Sequence, residues 1–317
     1  MTFNDNANIG NSNVSSGGSG GGGRLGGGGL GGGGLSPGGM RMGGGIGGVI
    51  LTIIVVVIYN FLPGGTDTAN PAAPNNQIAG DSQVQQQLEA CKTGADANRD
   101  DVCLIKGTVA TVENFWKTYF PQATGKDYQG AVTTVYSGST QSACGTASNQ
   151  TGPFYCPLDK KVYIDASFFS ELTRTYGADG GQLAKEYVVA HEYGHHIQDL
   201  LGALGRAQQD PKGAQSGSVR TELQADCYAG LWAHYATTTK DNNGTPYLQD
   251  ITPADIKSAL SAASAVGDDR IQQKSSGRVN QDTWTHGSSA EREKWFTRGY
   301  QSGQINSCDT FNAGTLG

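Results

Sequence analysis

The sequence predicts an α+β fold, a helix-dominated domain with a small sheet, behind one N-terminal transmembrane helix. Three observations carry this. A His-Glu-x-x-His pattern lies in a segment with helical apolar spacing, a 17-residue apolar run spans residues 46–62, and all six cysteines follow that run.

Taken in order, residues 1–45 are polar and then glycine-rich, with little to bury, and are expected to be a disordered cytoplasmic tail. The run Ile46 to Leu62 is at the short end for a bilayer span and is closed by Pro63-Gly-Gly. It starts too late for a signal peptide and lacks a small-residue cleavage site close behind it. Arg24 and Arg41 precede it with only Asp5 opposing them, so the positive-inside rule places the tail in the cytoplasm and the remainder outside, on a single-pass anchor in the cell membrane. Residues 63–82 read as a linker, and the folded domain is expected over 83–317.

The cysteines test that orientation independently. Cys91, Cys103, Cys144, Cys156, Cys227 and Cys308 form an even set on one side of the apolar run, as an oxidising compartment would favour. Equal spacing favours local bridges 91–103 and 144–156, leaving 227 with 308. The net charge of −6 argues against nucleic acid as a partner.

Within the domain, residues 108–120 have helical apolar spacing through Val109, Val112, Phe115, Trp116 and Tyr119. Residues 131–137 and 161–165 read as strands, the latter a candidate edge for pairing with an extended peptide or else a plain structural strand. Asp165 is expected to cap a helix running to Tyr176, Pro253 to open another, and Ser288-x-x-Glu291 to form a capping box for a last helix holding Trp295 and Phe296.

The chemistry concentrates in Glu186-Tyr-Val-Val-Ala-His191-Glu192-Tyr-Gly-His195-His196. His191 and His195 are one helical turn apart and can reach one cation, while Glu192, about 100° round the helix, can serve as general base to a water at the metal. Asp179 is the expected N-cap and Gly202 the stop. Gly194 costs about 1 kcal/mol in a helix interior, so something is expected to approach the backbone there. Catalytic zinc needs a third protein ligand. Glu222 and Asp226, again four apart, are assigned as that ligand and as the acceptor of a ring N–H from a ligand histidine.

His191-Glu192-x-x-His195 with Glu222-x-x-x-Asp226 resembles the gluzincin metallopeptidases. The flanking text Gly152-Pro-Phe-Tyr-Cys156-Pro, Val162-Tyr-Ile-Asp165, Glu222-Leu-Gln-Ala-Asp226-Cys-Tyr-Ala-Gly and Thr285-His-Gly-Ser-Ser-Ala-x-Arg292 is similar to a family of bacterial neutral zinc metallopeptidases. The resemblance runs from about residue 80 to the end and implies a Zn2+-dependent, zincin-like peptidase acting on a protein or peptide substrate. Peptidases of the gluzincin type also need a donor for the oxyanion. His286, on a loop entering a capped helix, is the expected one, ahead of Tyr193, Tyr228 and Arg292; His196 and His234 are expected to be packing or surface residues. Two rival functions stand beside this one: a zinc hydrolase of a non-peptide or cell-wall amide, and a zinc-containing domain that binds without turnover.

Overall fold

Residues 2–17 and 75–317 are described by a computed structural model. The first of these segments overturns an expectation, because it lies inside the domain. Phe3, Ala7 and Ile9 are fully buried. Val14–Ser16 forms strand β1, paired in parallel with β2 (Val132–Tyr136), Val14 opposite Thr133. Disorder predicted through residue 45 is therefore wrong for residues 2–17. The physical reason is that their main chain finds partners as well as their apolar side chains. Phe3 donates its N–H to Asn98 Oδ1 at 2.8 Å, Asn98 Nδ2 returns a bond to the Phe3 carbonyl at 3.0 Å, and Ile9 donates to the Lys92 carbonyl at 3.0 Å.

The second described segment opens with α1 (Asn75–Ala90), so the expected linker to residue 82 is shorter and the domain begins earlier than residue 83. Gly17 and α1 are neighbours: a Cβ on Gly17 would sit 2.9 Å from Asp81 Oδ1. With β1 in the sheet, residues 2–17 and the domain must share one side of any membrane. A cytoplasmic head with an outward-facing domain is incompatible with that pairing. The apolar run 46–62 lies outside the described residues, and among the described residues no helix is long and apolar enough to cross a membrane.

After the short helix α2 (Gly94–Ala97) comes α3 (Asp101–Thr124), longer at both ends than the expected 108–120. Asp100 caps its start by accepting from the Val102 and Cys103 N–H groups, and Gly125, left-handed at φ 70°, ends it. Then follow β2, a hairpin of β3 (Ser139–Ser142) and β4 (Gly145–Ser148), β5 (Phe154–Cys156) and β6 (Lys161–Asp165). The larger sheet runs β1-β2-β6-β5, with β5 antiparallel to β6 and the other pairs parallel. Residues 161–165 thus form an interior strand, so the edge position considered for them is not theirs; among the described residues the edges of this sheet are β1 and β5.

The helices that follow are α4 (Phe168–Arg174), α5 (Gln182–Leu201), α6 (Gly205–Gln209), α7 (Gly217–Tyr235), α8 (Pro253–Ala265), α9 (Asp268–Ser276) and α10 (Ser289–Ser302). Asp165 does not cap α4 directly; Ser167 occupies that position and donates its N–H to Asp165. The predicted capping box at Ser288 and Glu291 is present, and so is Pro253 in the first turn of α8.

Two close helix crossings set the site's dimensions. At Gly194 an added Cβ would meet the Ala225 backbone at 2.9 Å, so α5 and α7 touch main chain to main chain, as the cost of that glycine implied. Between α7 and α10 the fit is reciprocal: a Cβ on Gly230 would collide with the Phe296 carbonyl, and one on Gly299 with that of Cys227. Bridges 91–103, 144–156 and 227–308 all form, with Cα separations of 5.2, 5.8 and 5.5 Å. The last pins the tail beyond α10 to α7.

Replacing Phe3 with Ala should destabilise the whole domain by about 3–5 kcal/mol, the cost of truncating a buried aromatic. Urea unfolding would read it; a change below about 0.5 kcal/mol would show that the head does not belong to the cooperative unit.

Candidate metal centre

Helix α5 carries the centre. Its N-cap is Gly181, not Asp179; Asp179 lies two residues earlier and accepts from the Gly181 N–H at 3.0 Å and the Ser258 hydroxyl at 2.5 Å. Gly202 closes the helix in the left-handed region as expected. Within it His191, Glu192 and His195 are all buried, and so is Glu222 on α7. His191 Nε2 lies 3.3 Å from Glu222 Oε2 and His195 Nε2 lies 3.2 Å from Glu222 Oε1. One ligand atom from each of the three residues falls within 4.8 Å of the others. His195 Nε2 and Glu222 Oε1 are buried and face each other without a well-aligned hydrogen bond, and Glu192 Oε2 is buried with no partner. Unpartnered polar atoms in a protein interior are costly, and a cation bound by two imidazoles and a carboxylate would satisfy the ligand pair.

Each imidazole is aimed by a bond at its other nitrogen. His191 Nδ1 lies 2.8 Å from Asp226 Oδ1, the role expected for Asp226, and with that carboxylate ionised the ring donates. His195 Nδ1 lies 2.8 Å from Gln198 Oε1, and Gln198 is held in turn by its Nε2 donating to the Thr221 carbonyl at 2.7 Å. Sequence reasoning misses Gln198, although its place three residues after His195, on one helix face, is an available signal. Both arrangements leave Nε2 free for the metal. This donor set fits zinc.

A family model described as "Putative neutral zinc metallopeptidase" matches residues 2–311. The chain belongs to that family. Its relatives include the uncharacterized protein Rv2575 of Mycobacterium tuberculosis, 51% identical over 256 residues that cover 80% of this chain and 84% of the relative. Another is the uncharacterized protein YpfJ of Escherichia coli, 39% identical over 276 residues, or 85% and 88% of the two chains. No solved structure matches. The family match begins at residue 2, consistent with the head being part of the domain.

For a buried set of metal-ligand candidates, charge balance behind the ligands matters. Asp226 accepts from Arg292 through Nε and Nη2, both at 2.8 Å, and from the Tyr187 hydroxyl at 2.5 Å. Burial works against its ionised form, but the Arg292 guanidinium and His191 hold its carboxyl down at about 2. Burial pushes the Glu192 carboxyl up, against the pull of His191 and His195.

His286 joins the same cavity wall as His191, Glu192, Glu222 and Arg292. Its Nδ1 lies 3.2 Å from Asp268 Oδ1, at the start of α9, and its Nε2 is buried and unpartnered. Asp268 also accepts the backbone N–H groups of Thr285, His286 and Gly287, which fixes the loop. The other donors considered are engaged elsewhere. Tyr193 turns toward β2, 3.1 Å from Thr133 Oγ1, Tyr228 packs edge-on against Trp116, and Arg292 is committed to Asp226. His196 packs behind the centre, donating from Nε2 to the Gln129 carbonyl at 2.6 Å, and His234 meets the Tyr300 carbonyl at the surface.

Replacing His191, His195 or Glu222 with Ala should abolish tight zinc binding, whereas Asp226→Asn and Gln198→Ala should each weaken it roughly 10- to 100-fold. Competition with a chromogenic chelator measures this, and equal losses for all five would refute the division of roles.

Behind α5, burial raises Glu113 from 4.5 to about 7, although it accepts from the Ala131 N–H. The folded state therefore binds that proton more tightly than the unfolded chain. Its contribution is complete below about pH 4.5 and disappears as pH rises through about 7. Denaturant midpoints should fall across that window and the fall should flatten in Glu113→Gln, by about 3 kcal/mol at most.

Proposed function

We propose that the protein is a zinc-dependent endopeptidase that hydrolyses peptide bonds outside the cytoplasm. The observation that carries this is the convergence of ligand atoms from His191, His195 and Glu222 within 4.8 Å of one another, with the buried and unpartnered Glu192 Oε2 and His286 Nε2 on residues that line the same cavity. His191, His195 and Glu222 would hold the ion. Zinc bound there would polarise the scissile carbonyl and lower the pKa of an attacking water.

The remaining steps belong to the chain's own groups. Glu192 takes the proton from that water and passes it to the leaving amine. The carboxyl pushed up by burial suits both halves of this transfer, since it holds a proton more readily than an exposed glutamate. His286 donates from Nε2 to the oxygen on which negative charge develops, its ring fixed by Asp268. Gln150, Gly152 and Pro153 line the cavity on the approach to strand β5, an edge of the sheet among the described residues, where an extended peptide could pair.

Three disulfides support an oxidising compartment. The apolar run 46–62 is the part of the sequence suited to attach the protein to a membrane. With both of its flanking described segments in one folded unit, such attachment would be made from one side, and protease shaving of intact cells should reach residues 2–17 and the domain alike.

Glu192→Gln should retain zinc and lose turnover of a casein-type substrate, and chelation should abolish wild-type activity reversibly. His286→Ala should reduce kcat on the order of 10²-fold with zinc content and Tm nearly unchanged. Full activity in Glu192→Gln would overturn the mechanism, and a collapse of Tm in His286→Ala would assign that residue to loop packing.

A further inference from the structure

The metal centre uses one side of α5, and the other side leads to a region that hydrolysis leaves unused. Tyr193 stands about 200° round the helix from His191, and its hydroxyl turns to Glu113 on α3 as well as to Thr133. Beyond Glu113, the outer face of α3 is flanked by two cavities that share the wall residue Asn114. Neither has a lining residue in common with the cavity at the metal ligands. Their volumes are about 400 and 200 Å³, and together they fall in the range of small-molecule sites.

The smaller cavity is lined with amides. Asn8, Asn11 and Asn13 come from the head, Asn114 from α3 and Asn242 from the loop after α7. Asn8 Oδ1 accepts from the Gly10 N–H at 2.8 Å, Asn13 Nδ2 donates to the Ala131 carbonyl at 2.8 Å, and Asn114 Nδ2 donates to the Tyr247 hydroxyl at 2.6 Å. The fold thus fixes each of these amides through one atom, and the opposite atom is the one a ligand can use. The larger cavity adds aromatic carbon. Phe115 lies nearly parallel to Tyr119, with centroids 5.0 Å apart at 27°, and to Tyr235, at 5.4 Å and 21°. Both tyrosine hydroxyls donate to the Gly303 carbonyl, at 3.2 and 3.0 Å, which fixes the rings as well.

This lining discriminates between classes of ligand. Nucleic acid needs a basic track, and the two cavities offer Lys117 and Lys240 with Glu113 opposing them. An extended peptide gains affinity by pairing with a strand edge, and no lining residue of either cavity belongs to a strand. A sugar matches both halves, with hydroxyl groups that donate to and accept from amides and a C–H face that covers an aromatic ring. Lining residues from Ala110 to Gln122 span roughly 18 Å of α3, room for several sugar rings in a row.

We propose that this groove binds an uncharged oligosaccharide, its hydroxyl groups paired with the asparagines of the head, α3 and the loop after α7, and one of its sugars laid on the aromatic stack. Such a site would hold the protein on a glycan while the metal centre, on the opposite side of α5, stays open. The asparagines of the head reach the groove because β1 and Phe3 dock into the domain.

The test titrates the full chain with cellotetraose and with tetra-N-acetylchitotetraose, read by saturation-transfer NMR. At least one should bind with a Kd below about 1 mM. Tyr235→Leu should weaken that binding about tenfold and Tyr235→Phe should keep it, because the ring and not the hydroxyl carries the sugar. Asn11→Ala combined with Asn242→Ala, both at exposed positions, should weaken it by a similar factor, with Tm, zinc content and turnover of a casein-type substrate unchanged. Failure of both tetramers to bind would overturn the proposal. Binding that survives Tyr235→Leu and the double asparagine variant would place the sugar elsewhere on the surface and overturn it too. An uncharged peptide of glycine, asparagine and serine is the comparison: if it binds in the groove and neither tetramer does, the site takes peptide and the saccharide assignment falls. Binding needs no turnover, so these outcomes are independent of the peptidase reading.

Discussion

The Asp226 carboxylate is the contact on which the centre depends. It is fully buried, and it joins three helices at one point: His191 and Tyr187 from α5, its own α7, and Arg292 from α10. An isolated buried carboxylate would be untenable, and so would an isolated guanidinium. Held bidentate, the two neutralise each other and leave the outer face of Asp226 to orient a metal ligand. Glu222 then carries the negative charge that faces the cation. The Gly230 and Gly299 crossing matters for the same reason, because side chains at those places would push α10 away from α7 and take Arg292 out of reach. Packing at two glycines thus governs the electrostatics one or two turns away.

Much of the centre is legible in the sequence because helical geometry converts spacing into direction. His191 and His195, then Glu222 and Asp226, are each four apart, and each pair comes together as that periodicity requires. The cysteine pairs are readable from spacing and exclusion, and the capping box at Ser288 from its own chemistry. Gln198 is harder, since a glutamine in a helix carries no ionisable signal and its role appears only when Thr221 and Gln224 are in place. Arg292 stands out in the sequence, but as a donor that would face the substrate. Its actual partner is Asp226, and that pairing depends on a helix crossing that no local pattern encodes.

The head misleads for a different reason. Composition over 45 residues is dominated by glycine, and that average hides Phe3, Ala7 and Ile9, three apolar residues in an otherwise polar stretch. No periodicity marks them, because they sit in bridges and turns rather than in a helix. β5 and the β3–β4 hairpin escape notice similarly, being only three or four residues per strand, the hairpin also rich in Ser, Thr and Gly. With β5 unseen, the strand at residues 161–165 looks like an edge when it is an interior one.

The pairing of β1 with β2 also bears on how the molecule is assembled. Val14 faces Thr133, and Phe3 bridges to Leu248, so these residues are completed by partners made more than a hundred residues later. Loop closure on that scale must be met before the contacts repay it, and it favours slow folding. Synthesis order and assembly order run opposite to each other in this chain. The head cannot finish docking, and the centre on α5 cannot be completed, until translation has passed the helices that carry Glu222 and Arg292, so a nascent chain that stops short of α10 holds its candidate ligands without the arginine that balances Asp226.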